Sequence, residues 1–351
     1  MEDRFCAQLK RIIERKDTDG KLVFEEVRQL VQEFESTHAE PDLDGTVSLN
    51  SLFVDQLVFS KLLENDPGVI SGFEDLDDAG TFRLGEYVVI GGRPAMGKTQ
   101  LLVNLAMNMS VHVPVLYLSY DLSDSAVLKR MISNLTGIAL ARLERGDVND
   151  LEKKLVASMD KEFASRKLFI NDSAYSNITH VKELCRKHIE RDGVKVIVID
   201  HLQLLSSNRY RNNREMEMSY VSRSLKTMAK ENNVLIIVSS QLSRSCEQRG
   251  GDKRPQLSDL RESGAIEQDA DKVFFLYRPE YYGFLQDEEG NSTQGISELI
   301  LAKNRSGYLD RFLFNRDEHF TRLMPFTGYL EEFRIGRSRM ENFDTDDDAP
   351  F

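Results

Sequence analysis

Gly92-Arg93-Pro94-Ala95-Met96-Gly97-Lys98-Thr99 fits the phosphate-loop spacing G-x-x-x-x-G-K-[ST], and its surroundings decide the fold. Tyr87-Val88-Val89-Ile90 before it is a short apolar run that reads as a buried strand. After it, Leu101, Leu102, Leu105, Ala106 and Met109 recur at helical spacing. A strand feeding a glycine turn that opens a helix aims several backbone N–H groups, and the positive end of the helix dipole, at one place. That place suits a triphosphate such as ATP, with the whole run from Gly92 to Gln100 as the binding segment. Lys98 is expected to reach the β- and γ-phosphates, and Thr99 to hold Mg2+ through its hydroxyl. A chance Gly-Lys-Thr in a surface turn would need neither the strand nor the helix.

Outward from this stretch, apolar runs at 87–91, 113–119, 167–171, 194–200, 233–240 and 272–277 alternate with helical stretches. That alternation predicts an α/β fold whose mainly parallel sheet is covered on both faces. The runs 296–302, 309–314 and 319–324 follow one another without helices and predict an antiparallel edge. Residues 67–330 are thus expected to form one large domain. Before it, 1–50 read as an acidic helical segment in two pieces, divided by Asp17-Thr18-Asp19-Gly20, and 51–66 as one more amphipathic helix. After it, 331–351 read as an acidic, disordered tail.

The chain has 351 residues, 40% of them hydrophobic, enough for a proper core. No apolar run reaches the roughly 18 residues that span a bilayer, and the N-terminus lacks the apolar stretch of a signal peptide. Cys6, Cys185 and Cys246 are widely spaced, which suits free thiols in a reducing cytoplasm better than disulfides or a metal site. The net charge of −12 looks wrong for a nucleic-acid binder until it is divided along the chain. Residues 1–66 hold 15 acidic and 8 basic residues, and 331–351 hold 7 and 3. The middle carries 36 acidic against 35 basic, which leaves room for a locally basic surface.

Four further features carry chemistry. Val196-Ile197-Val198-Ile199-Asp200 ends a buried strand in a carboxylate, at the ligand-binding edge of a parallel sheet. Asp200 there either holds magnesium through its water shell or merely caps the strand. Leu235-Ile236-Ile237-Val238-Ser239-Ser240-Gln241 ends at the same edge, where Gln241 could sense the γ-phosphate. Lys303 and Arg305, two apart on a strand end, leave one face. They suit either a solvated edge or a clamp on a phosphoryl transition state. Finally, polar basic segments follow the Asp200 and Gln241 strands: 206–214, with Arg209, Arg211 and Arg214, and 243–254, with Arg244, Arg249, Lys253 and Arg254. Solvated loops and a track for single-strand phosphates fit them equally.

Taken together these segments resemble the C-terminal motor domain of DnaB-type replicative helicases, a RecA-like fold. The resemblance is carried by Gly72-Phe73-Glu74-Asp75-Leu76-Asp77, the phosphate loop, Val198-Ile199-Asp200-His201-Leu202-Gln203-Leu204 and Ser240-Gln241-Leu242-Ser243-Arg244-Ser245. A long, specific run from Asp259 to Asp271 and Ala302-Lys303-Asn304-Arg305-Ser306-Gly307 complete it. It implies a ring, usually a hexamer, with ATP at subunit interfaces and 5′ to 3′ movement on single-stranded DNA held by the two basic loops. It implies Arg305 as an arginine finger on the neighbour's ATP, with Lys303 beside it. Residues 51–66 sit where the linker helix belongs. A primase or a helicase loader comes with the family as partner, although the short region before the motor does not match the family's N-terminal domain.

A second departure is catalytic. After Val115-Leu116-Tyr117-Leu118-Ser119 the family places a glutamate as general base, and this chain has Asp121. Asp121 is either that base, one methylene short, or a cap for the helix starting near Ser123, with Asp124 or another carboxylate as the base. Two other functions fit the same parts: a RecA-like recombination or repair ATPase, and a slow nucleotide-gated ring that recruits partners. The Lys303–Arg305 pair and the 261–271 run favour the replicative type.

Overall fold

The computed structural model describes residues 68–328, except Arg211, 261–263, Glu318 and Phe320. The expectations for 1–50, 51–66 and 331–351, and for the DNA-contacting role of Arg211, lie outside the described residues.

Nine strands form one sheet: β1 (Tyr87–Gly92), β2 (Val115–Ser119), β3 (Leu168–Asn171), β4 (Val196–Asp200), β5 (Leu235–Gln241), β6 (Lys272–Tyr277), β7 (Ile296–Asn304), β8 (Asp310–Arg316) and β9 (Leu323–Pro325). Their order is β3-β2-β4-β5-β1-β6-β7-β8-β9. The first six run parallel, and β7, β8 and β9 are added antiparallel. This is the mixed sheet that the order of apolar runs predicts. Only the last run changes appreciably. It shrinks to Leu323–Pro325 because Asp317 Oδ1 accepts from the backbone N–H of Thr321 (2.6 Å) and of Arg322 (2.7 Å), folding those residues into a turn.

Alternate side chains of the parallel strands enter two cores. Val88, Ile90, Val196, Val198 and Ile237 face one way, against α2 (Lys98–Met109), which follows α1 (Glu74–Asp78). Leu101, Leu102, Leu105, Ala106 and Met109 are all buried there, as their spacing requires. Tyr87, Val89, Ile197, Ile199 and Ile236 face the other way. They meet α7 (Ile178–Asp192) and α8 (Arg214–Glu231). Between these lie α3 (Asp124–Thr136), α4 (Leu140–Arg145), α5 (Asp150–Ser158) and α6 (Asp160–Ser165), and α9 (Ser245–Gln248) and α10 (Gly264–Asp269) follow β5. Strands buried on both faces explain why the runs are continuously apolar rather than alternating. Among the described residues no helix is long and apolar enough to cross a membrane.

Candidate functional site

The strand ends of the parallel core that carry the predicted chemistry point the same way. Register pairs Gly92 with Gln241 and Ser119 with Asp200. The phosphate loop, Asp121, Asp200 and Gln241 therefore share one edge of the sheet, the carboxyl edge where α/β folds bind ligands.

The loop's shape is set by its glycines. Gly97, at φ 97°, is left-handed and caps α2 from before Lys98. A side chain at Gly92 would press on Lys98 Cγ at 3.2 Å. Ala95 also takes a positive φ, 64°, and its carbonyl is held by Arg278 Nη1 at 3.0 Å. Lys98 Nζ donates to the carbonyls of Gly92 (2.8 Å) and Arg93 (3.1 Å). Burial pushes its pKa down to about 8, against the pull of Asp200; Arg93 adds to the lowering. Thr99 stands on the first turn of α2, half-buried. Gln100 is buried and gives its amide to the Thr321 carbonyl. Pro94 is exposed and Met96 buried.

Asp200 is 4% exposed and accepts from Ser239 Oγ (2.5 Å) and Tyr117 Oη (3.4 Å). The Tyr117 phenol, buried beside this carboxylate, stays neutral and donates. Thr99 and Asp200 offer a hydroxyl and a carboxylate, hard oxygens that suit magnesium, which keeps waters and phosphate oxygens for its other positions. Among the described residues no group of three or more His, Cys, Asp and Glu side chains could hold a metal unaided. Asp121 is exposed, just past β2. The helix cap belongs to Ser123, whose side chain accepts from Ala126 N at 3.3 Å, so Asp121 does not cap α3.

Two residues that sequence reading left without a role stand here. His201 is half-buried with Nδ1 unpartnered; burial lowers its pKa while Asp200 and Asp121 oppose that, so it lies within reach of both charges. Gln203 clamps the end of β5: its Oε1 accepts from Gln241 N (3.1 Å), and its Nε2 donates to Ser240 Oγ (2.9 Å) and Gln241 O (3.3 Å). A glutamine just past a strand end carries no periodic signal, so only the pairing of β4 with β5 could have found it.

The basic loops leave this edge, but their cations divide into two sets. Arg249 is tied to buried Asp259 (2.7 Å), Arg254 to Glu298 and Asp252, and Arg214 to Glu217 (2.6 Å). Arg209 lies over the rings of Tyr210 (5.6 Å) and Tyr220 (5.4 Å), and Lys253 over Tyr282 (5.5 Å). Arg244 is exposed. Arg93 turns away from the loop's hollow: Nη1 donates to Leu242 O (2.8 Å), while Nε and Nη2 pair with Glu247 at 2.9 and 3.0 Å.

Lys303 and Arg305 are not at this edge. Lys272 pairs with Val88 on one side and Asn304 on the other, which puts the Asn304 end of β7 beside the start of β1. The strand from Val88 to Gly92, at about 3.3 Å per residue, separates that level from the phosphate loop by roughly 13 Å before the loop itself is added. Lys303 Nζ donates to Ala270 O (2.8 Å) and to the Glu267 and Gln268 carbonyls at the end of α10. Arg305 lies 49% exposed beside the same helix, with Nη2 on Gln268 O and Nη1 3.7 Å from Asp271. Asp271 also accepts from Tyr87 N (2.8 Å) and Lys226 Nζ (2.6 Å).

Comparison with known proteins agrees with this fold. Residues 68–324 match the model of the DnaB-like helicase C-terminal domain. The chain is 34% identical over 318 residues to the replicative DNA helicase DnaB of Haemophilus influenzae, covering 88% of this chain and 67% of that one. It is 36% identical over 290 residues to a probable replicative DNA helicase of Trieres chinensis, covering 81% and 63%. Among solved structures, one described as an ATPase domain superposes with a TM-score of 0.72 at 32% identity, over 81% of this chain and 99% of that one. A DnaB-like replicative helicase, described with its interactions with primase, gives 0.70 at 30% identity, over 92% and 76%. The chain spans about two thirds or less of the length of these curated relatives.

Proposed function

The chain belongs to the DnaB-like helicase C-terminal domain family, and on that premise we propose that it is an ATP-driven DNA helicase and translocase of replication. ATP and Mg2+ bind at the edge built by Gly92–Gln100 and Asp200. Lys98 moves from the Gly92 and Arg93 carbonyls onto the β- and γ-phosphates, and Thr99 and Asp200 would hold the metal, which would supply neutralisation of phosphate charge. Asp121 takes a proton from the attacking water, directly or through a second water. Gln241, fixed by Gln203, stands where loss of the γ-phosphate is felt.

The observation that carries the reading is the division of parts between two ends of one sheet. The phosphate loop, Asp121, Asp200 and Gln241 gather at one end, and Lys303 and Arg305 stand at the opposite end. They serve a neighbouring copy's nucleotide, which makes a ring, six subunits in this reading, the active form. Single-stranded DNA lies against the basic loops and is moved 5′ to 3′. A primase or a loader is the partner class this reading brings with it, and the cytoplasm is its compartment. The test is unwinding of a forked duplex. The parent chain should hydrolyse ATP and open forks with a 5′ single-stranded arm, and Lys98→Ala should do neither while keeping the parental circular dichroism. Parental turnover in Lys98→Ala, or opening that needs only a 3′ arm, overturns the reading.

A further inference from the structure

An ion pair joins the phosphate loop to α9. Arg93 is 8% exposed, and its three nitrogens reach two places: the Leu242 carbonyl where β5 ends, and the Glu247 carboxylate on α9. The Arg93 carbonyl meanwhile accepts from Lys98. One residue thus touches the phosphate-binding lysine through its backbone and the second basic loop through its side chain. Glu247 stands on α9, which directly follows exposed Arg244 and lies in the same segment as Lys253, and the charges of both add to the hydrogen bond and charge of Arg93 in holding its carboxyl below the usual range. The far end of the segment is braced by Arg249 on buried Asp259.

We propose that the Arg93–Glu247 pair is the tie through which single-strand phosphates on the second basic loop and the triphosphate on the phosphate loop sense each other, with Glu247 as a positioning residue. This rests on the function proposed above. Strand phosphates draw Arg244 and Lys253 away from Glu247, which then holds Arg93 more firmly and fixes the peptide that Lys98 must leave. In reverse, a triphosphate that draws Lys98 off the Arg93 carbonyl shifts Arg93 against Glu247 and so reaches α9. Coupling of binding sites is reciprocal, so both directions share one factor, typically about 5–150-fold.

The test uses the full chain and an oligodeoxythymidylate strand. Turnover is measured with and without the strand, and strand affinity with ADP and with a non-hydrolysable ATP analogue. Glu247→Gln keeps the shape and removes the charge. It should keep strand-free turnover within about twofold, lose the strand's stimulation of turnover, and lose at least ~5-fold of the nucleotide's effect on strand affinity. Glu247→Asp, which keeps the charge, should recover part of both. Full stimulation in Glu247→Gln overturns the tie, as does weakened strand binding by the same factor with both nucleotides, which makes Glu247 a plain part of the loop's fold. A Glu247→Asp chain no better than Glu247→Gln overturns it as well. A parent chain that binds no strand overturns instead the function on which the tie rests.

Discussion

Lys98 is the residue whose environment makes the sharpest forecast. Burial brings its pKa from 10.5 to about 8. Keeping it charged near neutral pH therefore costs the folded chain up to ~3 kcal/mol, at about 1.4 kcal/mol for each tenfold step. A triphosphate reverses this, because several anionic oxygens favour the charged amine and return the pKa to its ordinary range or above. In the free protein Lys98 is mostly protonated at about pH 7 and about one-tenth protonated at about pH 9. Nucleotide binding must then take up a proton, and the dissociation constant for ATP should rise about tenfold between those pH values. The phosphates themselves titrate near pH 6 and add little to the slope.

The sign for stability follows from the same shift. The folded-state pKa lies below the unfolded one, so the unfolded chain binds more protons between about pH 8 and 10.5. The nucleotide-free protein should gain stability as pH rises through that window. Isothermal titration at the two pH values, with Lys98→Arg as control, is the assay. The guanidinium stays charged throughout, so its curve should be flat however weakly it binds. A parental dissociation constant that does not change with pH, or an equal slope in Lys98→Arg, refutes the account.

Asp121→Asn should lower turnover by about 10²–10⁴-fold with ATP affinity retained, and Asp121→Glu should raise it if the aspartate is short of reach; parental turnover in Asp121→Asn removes it as the base. Arg305→Ala should cost about 10³–10⁵ in rate, and mixing it with Lys98→Ala subunits should restore some activity where an intact Lys98 meets an intact Arg305; exchange of subunits with no recovery argues against action between copies. Strand binding by Arg244→Ala should show a salt slope smaller by about 0.7. Arg249→Ala should instead lower the thermal midpoint, since it strands the buried Asp259 carboxylate. Equal loss of salt slope in both variants would mean that the ion pairs of the loop open on binding.

The fold was legible because both signals behind it are local. A strand buried on two faces is apolar at every position, and the phosphate loop fixes its own backbone through Gly97. The positions of Asp200, Gln241 and the basic loops followed once the strands were known to be parallel. What could not be read were side chains whose partners lie far along the chain. Arg93 looks like a phosphate ligand in sequence, but Leu242 and Glu247, which lie 149 and 154 residues on, hold it. Arg249 and Arg254 look like free cations until Asp259 and Glu298 are folded against them. The specific run ending at Asp271 had no visible purpose in the sequence. Its helix carbonyls and Asp271 prove to seat Lys303 and Arg305.

On the proposed function, the placement of Arg305 at one end of the sheet and Gly97 at the other gives each copy a donor end and an acceptor end. Two copies packed antiparallel about a two-fold axis would set each donor end on the other's acceptor end and stop at two sites, whereas copies joined head-to-tail form a chain of contacts that either closes into a ring or winds on as a helix. In either form the proposed catalytic unit is the seam between copies rather than the polypeptide. Specific activity should therefore climb with protein concentration until the last seam is made, and one defective copy should silence two seams by different means: its own pocket, and its neighbour's.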